Sequence, residues 1–132
     1  VMHSIPKPIA LVTCYPANPT AYVANLDFYK DLVAFARKHD LILLSDLAYA
    51  EVYFDDNNPP PSMLQVRGAM DVAVEFTSMS KTFSMAGWRM GFAVGNAKLI
   101  AALAQRALPK RTNGFEASRS AMQRCASSFD WS

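Results

Sequence analysis

Three short, almost wholly apolar segments alternate with stretches of helical periodicity, and this alternation limits the fold more than any other feature. The segments are residues 8–14 (Pro-Ile-Ala-Leu-Val-Thr-Cys), 41–45 (Leu-Ile-Leu-Leu-Ser) and 71–77 (Asp-Val-Ala-Val-Glu-Phe-Thr). Runs of this kind are the mark of strands covered on both faces, which belong to parallel sheets with helices packed on them. The first run stops where two prolines enter, at Tyr15-Pro16-Ala17-Asn18-Pro19-Thr20; proline cannot donate to a strand ladder. Residues 25–39 predict an amphipathic helix capped by Asn25, with Asp27 in its first turn, Arg37 and Lys38 in its last, and Phe28, Leu32, Phe35, Ala36 and His39 on the inward stripe. A fourth, shorter strand is expected over 90–95, ending at Gly95. Asn96 then caps a helix to about Leu108, with Leu99, Ile100, Leu103 and Ala107 inward and Pro109 as the stop. The expected class is α/β: a mostly parallel sheet flanked by helices, with connections short enough for one antiparallel pair.

With 132 residues, 52% of them hydrophobic and 18% charged, the chain can bury one modest core and is neither a disordered tail nor a disulfide scaffold. Cys14 and Cys125 stand in no metal or redox spacing, so a reduced, cytoplasmic protein is expected. No apolar run approaches membrane-spanning length. Residue 1 is Val, and the chain is expected to begin inside a longer one. Residues 1–105 carry eight Lys/Arg against nine Asp/Glu, whereas 106–132 carry five against two. The near-neutral body offers no footprint for nucleic acid. No metal site is expected: His39 complements a helix dipole, and Asp55-Asp56 belong to a solvated, triple-proline loop over 55–62.

In open α/β sheets, ligands bind beyond the carboxyl ends of the strands. Reactive side chains gather at those ends here: Asn18 after the first strand, Asp46 and Tyr49 after the second, Ser78 and Lys81 after the third, with Arg89 eight residues further on. A lysine, an acid and an arginine on one rim suit an anionic ligand bearing a carbonyl or a basic ring, and a lysine of lowered pKa can form a Schiff base. Each residue also has an ordinary structural reading. Asp46 and Ser78 are natural caps, Asn18 a turn residue before Pro, Tyr49 a half-buried aromatic, Arg89 a surface ion pair and Lys81 a solvated lysine. Tyr15, Tyr22 and Trp88 are expected to serve packing.

The segment Ser78-Met79-Ser80-Lys81-Thr82-Phe83-Ser84-Met85-Ala86-Gly87-Trp88-Arg89-Met90-Gly91 resembles the Schiff-base lysine segment of class I/II aminotransferases, which are fold-type I enzymes using pyridoxal 5′-phosphate. Tyr15-Pro16-Ala17-Asn18-Pro19-Thr20 resembles that family's Asn-Pro motif, and Ser45-Asp46-Leu47-Ala48-Tyr49 its Asp-x-x-Tyr motif, in the same order. The wording from Leu26 to Gly95 is similar to the alanine and LL-diaminopimelate aminotransferase branch. The resemblance implies that residues 1–105 are part of the large, cofactor-binding domain, and it leaves 106–132 as an atypical basic tail, expected to be out of frame or disordered.

By this resemblance Lys81 carries the cofactor as a Schiff base and moves the substrate Cα proton. Asp46 pairs with the pyridinium nitrogen, Asn18 and Tyr49 bond the ring's phenolic oxygen, and Arg89 and Ser78 hold the phosphate. A cis bond at Asn18–Pro19 is also implied. The implied reaction is transamination between an amino acid and a 2-oxo acid, by an enzyme that is a homodimer when complete. A non-catalytic truncated homologue, a regulator-type cofactor-binding domain and a related lyase or decarboxylase stay open beside it. Ala21 stands where many family members have Gly, and a shape effect at most is expected. The upstream phosphate contacts and the arginine that clamps the substrate carboxylate have no counterpart in these 132 residues.

Overall fold

The protein was analysed as a computed structural model, which describes residues 4–107. Strand β1 (Ala10–Cys14) leads through a proline-rich turn to helix α1 (Leu26–His39), and the chain returns as β2 (Ile42–Asp46). A long connection with two 3₁₀ turns, Met63–Gln65 and Ala69–Asp71, precedes β3 (Ala73–Ser78). A one-turn helix, α2 (Met79–Thr82), and a 3₁₀ turn, Ala86–Trp88, join β3 to β4 (Gly91–Gly95), and α3 (Ala97–Ala107) follows. The chain divides into two units, Val1–Ile100 and Ala101–Ser132. The expected features of the tail, including the stop at Pro109, lie outside the described residues.

The sheet order is β1-β2-β3-β4. The first two pairings are parallel and the third is antiparallel, so the expected α/β architecture is borne out. Helix α1 begins as expected: Asn25 Oδ1 accepts from the Phe28 N–H (2.8 Å). It ends at Asp40 in a left-handed conformation whose N–H bonds the Ala36 carbonyl, which satisfies one of the open carbonyls of the last turn. The buried face differs from the expected stripe in part. Tyr29, Val33 and Ala36 are buried, while Phe28 and Phe35 are exposed. Ala36 is buried and Leu32 packs against the core as expected, while Tyr29 and Val33, rather than Phe28 and Phe35, complete the buried face in one core with Leu43, Ala73, Met63, Val66 and Ala69. Phe28 instead packs edge-on against Tyr15 at 5.6 Å, and Phe35 against the His39 ring. In α3, Leu99 and Ile100 are half-buried, and Leu103, expected inward, is exposed.

Strand β3 starts two residues later than expected, since the 3₁₀ turn at Ala69–Asp71 takes the polar lead-in. Gly95 closes β4 at φ +148°, and a Cβ there would run into the Ala73 carbonyl of the neighbouring strand; only glycine fits this approach. Asn18–Pro19 is cis, as the resemblance implies, and so are Ile5–Pro6 and Tyr15–Pro16. No described helix is long and apolar enough to cross a membrane.

Candidate active site

The register places the expected site residues along one end of the sheet. Cys14, the last residue of β1, pairs with Asp46, and Asp46 pairs with Phe76 two residues before Ser78. Ser78 pairs with Gly91, two residues after Arg89. The N–H of Leu47 extends the β2–β3 ladder to the Phe76 carbonyl (2.8 Å), and the Met79 N–H bonds the Met90 carbonyl (3.2 Å), which closes the segment between β3 and β4 at its base.

Three of the six residues converge directly. Asn18 Nδ2 donates to Tyr49 Oη at 3.1 Å across 31 residues of sequence. Lys81 Nζ sits 5.6 Å from the centroid of the same Tyr49 ring, within reach of a cation–π contact. Tyr49 therefore joins the loop after β1 to the helix after β3. Lys81 is exposed and has no ion-pair or hydrogen-bond partner among the described residues.

The other three make local contacts. Asp46 Oδ1 accepts from the Ala48 N–H (3.2 Å), so this carboxylate caps the turn that leads to Tyr49. Its Oδ2 has no protein partner among the described residues. Ser78 Oγ accepts from the Ser80 N–H (3.2 Å) and caps α2. Arg89 is left-handed at φ +50°, and its Nη1 donates to the Ala86 carbonyl at 3.4 Å. The structure brings Asn18, Tyr49 and Lys81 together and sets Asp46, Ser78 and Arg89 on the same sheet end without mutual contact. Trp88, expected to pack, is 70% exposed, and Tyr22 is equally open. Tyr15 does pack against the core. Asp55 accepts from Asn57 in a solvated turn, as expected, and no described cluster of His, Cys, Asp and Glu suits a metal.

One polar group close to this end escaped the sequence reading. Glu75 in β3 is buried and accepts from Ser62 Oγ (2.8 Å), the Met63 N–H (3.1 Å) and Ser45 Oγ (3.5 Å). Burial holds its carboxyl above the usual range, against the pull of those three donors. Its signal in the sequence was a lone charge inside an apolar strand, which must find partners if that strand is buried.

The profile of the aminotransferase class I and II family matches residues 3–127, and the chain belongs to that family, whose members generally depend on pyridoxal 5′-phosphate. The putative aminotransferase AatC of Rhizobium meliloti (strain 1021) is 76% identical over 103 residues, 78% of this chain and 25% of that protein. An LL-diaminopimelate aminotransferase of Nitratidesulfovibrio vulgaris (strain DP4) is 56% identical over 89 residues, 67% of this chain and 23% of that protein. Among solved structures, apo-BacF from Bacillus subtilis superposes with a TM-score of 0.69 at 44% identity, covering 74% of this chain and 24% of that one. The chain spans about a quarter of the length of these relatives. The residues at the sheet end fit the family's cofactor chemically. An amine without an ion-pair partner among the described residues lies over the ring of a phenol–amide pair, and a carboxylate, a hydroxyl and a guanidinium stand on the same rim.

Proposed function

We propose that the chain is the cofactor-binding part of a pyridoxal 5′-phosphate-dependent aminotransferase that moves an amino group between an amino acid and a 2-oxo acid. The observation that carries this reading is the Asn18–Tyr49–Lys81 convergence, in which residues from three separate motifs meet at 3.1 Å and 5.6 Å. The relative named for LL-diaminopimelate supports a place in amino-acid synthesis, and two cysteines in no disulfide or metal spacing support a cytoplasmic setting.

Pyridoxal phosphate, when bound, supplies an aldehyde that takes up the amino group and a ring that accepts the electrons released at the substrate Cα. The chain's own groups divide the remaining work. The Lys81 amine would be the attachment point and the base that takes and returns the Cα proton. The Asp46 carboxylate would hold a proton at the ring nitrogen. Tyr49 and Asn18 would donate to the phenolic oxygen. Arg89 offers a two-point fork to the phosphate, and the Ser78 hydroxyl a further donor. A homodimer is the arrangement proposed for the complete enzyme. The 132 residues alone are expected to bind without appreciable turnover, because Lys81, Trp88 and Arg89 stand open to water.

The test is to incubate the chain with pyridoxal phosphate, reduce with borohydride and map the fixed label by mass spectrometry. Labelling at Lys81, lost in Lys81→Arg, is the expected result. Label spread over surface lysines, or none, overturns the proposal.

A further inference from the structure

Residues 47–62 connect the end of β2 to the first 3₁₀ turn without regular structure, a length at which connections are ordinarily mobile unless tied down. This connection carries Tyr49, the residue on which Asn18 and Lys81 converge. Its near end is fixed by the β2–β3 ladder, extended by the Leu47 N–H to the Phe76 carbonyl. Its far end is fixed by Glu75, which takes the Ser62 hydroxyl on Oε1 and the Met63 N–H on Oε2. Ser62 is at the same time the cap of the 3₁₀ turn: its Oγ accepts from the Leu64 N–H (3.0 Å), and Gln65 Oε1 accepts from the Ser62 N–H (3.1 Å). Glu75 Oε2 also takes the Ser45 hydroxyl, on the residue beside Asp46. No described Lys, Arg or His pairs with Glu75, so hydrogen bonds alone compensate its burial, and losing one leaves a buried oxygen unpaired.

We propose that Glu75 is a positioning residue for the rim: its buried carboxylate ties Ser45, next to Asp46, and the far end of the Tyr49 connection to the strand that leads to Lys81. It touches none of the groups assigned to the cofactor and acts through Ser45 and Ser62. The inference rests on the cofactor reading for its purpose, though not for its geometry.

The test compares Glu75→Gln, Glu75→Ala and Ser62→Ala in the 132-residue chain. The readouts are amide exchange at 48–52 and 63–66, the ring resonances of Tyr49 against those of Tyr29, and the rate at which pyridoxal phosphate plus borohydride labels Lys81. Tyr29 lies in the core under α1 and reports the fold. Tyr49 reports the rim. Expected for Glu75→Ala and Ser62→Ala are at least tenfold faster exchange in both stretches, displaced Tyr49 resonances and severalfold slower labelling; Tyr29 resonances should stay unchanged in Ser62→Ala and shift in Glu75→Ala, whose lost charge lies within reach of the Tyr29 hydroxyl. Glu75→Gln, which keeps one acceptor oxygen, should recover part of each effect. Unchanged Tyr49 in all three variants, or Tyr29 and Tyr49 moving together in Ser62→Ala, overturns the proposal. If Glu75→Ala fails to fold, Ser62→Ala decides alone, since it leaves the strand intact. If the parent chain takes no label on Lys81 the cofactor reading fails, and the Tyr49-against-Tyr29 comparison still decides whether Glu75 ties the rim.

Discussion

Under α1, Leu43 and Ala73 are fully buried against Tyr29, Val33 and Met63, whereas between β3 and β4 the large apolar side chains Phe83 and Trp88 are 61% and 70% exposed. The contrast separates two physical tasks. On the α1 side, each buried aliphatic or aromatic side chain contributes about 1.5–3 kcal/mol by leaving water. On the rim, apolar groups contribute little, and backbone conformation sets the direction of the side chains. Ser84 and Arg89 are both left-handed, at φ +53° and +50°, a conformation that costs about 1–2 kcal/mol per residue and clusters at functional sites. The residues proposed to carry chemistry are thus held by the sheet end and by polar ties such as Asn18–Tyr49 and Glu75–Ser62, not by a core of their own.

The strongest way to break this comparison is to truncate the buried side. Leu43→Ala is expected to cost about 2–5 kcal/mol, through lost burial and the cavity left behind, read as a shift in urea midpoint. Loss of less than about 1 kcal/mol would mean that the α1 face is not the main source of stability. A second probe uses pH. Burial, then the negative charge of Glu75 and the Tyr15 and Cys14 groups, push the Tyr29 hydroxyl up from 10.0 to about 12. The folded chain therefore keeps a proton that the unfolded chain releases. Stability is expected to fall as pH rises from 10 to about 12, by about 1–3 kcal/mol, and not below that window on this group's account. Tyr29→Phe should remove the fall in a urea titration repeated across these pH values. A fall that persists unchanged in Tyr29→Phe assigns it elsewhere.

The same division explains what could be seen in the residues beforehand. The strands, α1 and its Asn25 cap were legible because solid apolar runs and cap chemistry are local signals, and the sheet end could be placed because ligands collect at strand termini. The exact edge of the buried helix stripe was not. Leu32 and Ala36 were legible, but Phe28 and Phe35 are as apolar as Tyr29 and Val33, and only the sheet decides that 29 and 33 are the ones covered. Ser62 and Gln65 did carry a local signal, the Ser-x-x-Gln capping box, hidden behind three prolines. Glu75 lay in plain view, but its partners at 45 and 62 are 30 and 13 residues away, and nothing local announces such a pairing. At the rim, order and spacing placed all six residues on one sheet end, while contacts as specific as Asn18 to Tyr49 needed coordinates.

A smaller effect sharpens the rim side. Ala21 was expected to differ from glycine only in shape, but its backbone is left-handed at φ +57°, where a Cβ costs about 1–2 kcal/mol. Ala21→Gly relieves this strain and also loosens the unfolded chain, an opposing term of about 0.4–1 kcal/mol. A net gain of about 0.5–1 kcal/mol is expected in thermal unfolding. A net loss would mean that the turn after Pro19 tolerates the methyl group without strain.

The smallest expected effect is the most pointed. Trp88 has the largest side chain on the rim, and truncating a buried tryptophan ordinarily costs about 3–5 kcal/mol. At 70% exposure it makes too few contacts to hold the fold, and Trp88→Ala should change stability by less than about 0.5 kcal/mol. The 3₁₀ turn that carries it is held by the Trp88 N–H to the Met85 carbonyl (3.1 Å), a backbone bond the substitution leaves in place. Far-ultraviolet circular dichroism and the urea midpoint should therefore match the parent chain. A Trp88→Ala loss comparable to that of Leu43→Ala would show that the rim packs in solution as the α1 face does, and the separation between a self-burying face and an open chemical edge would not stand.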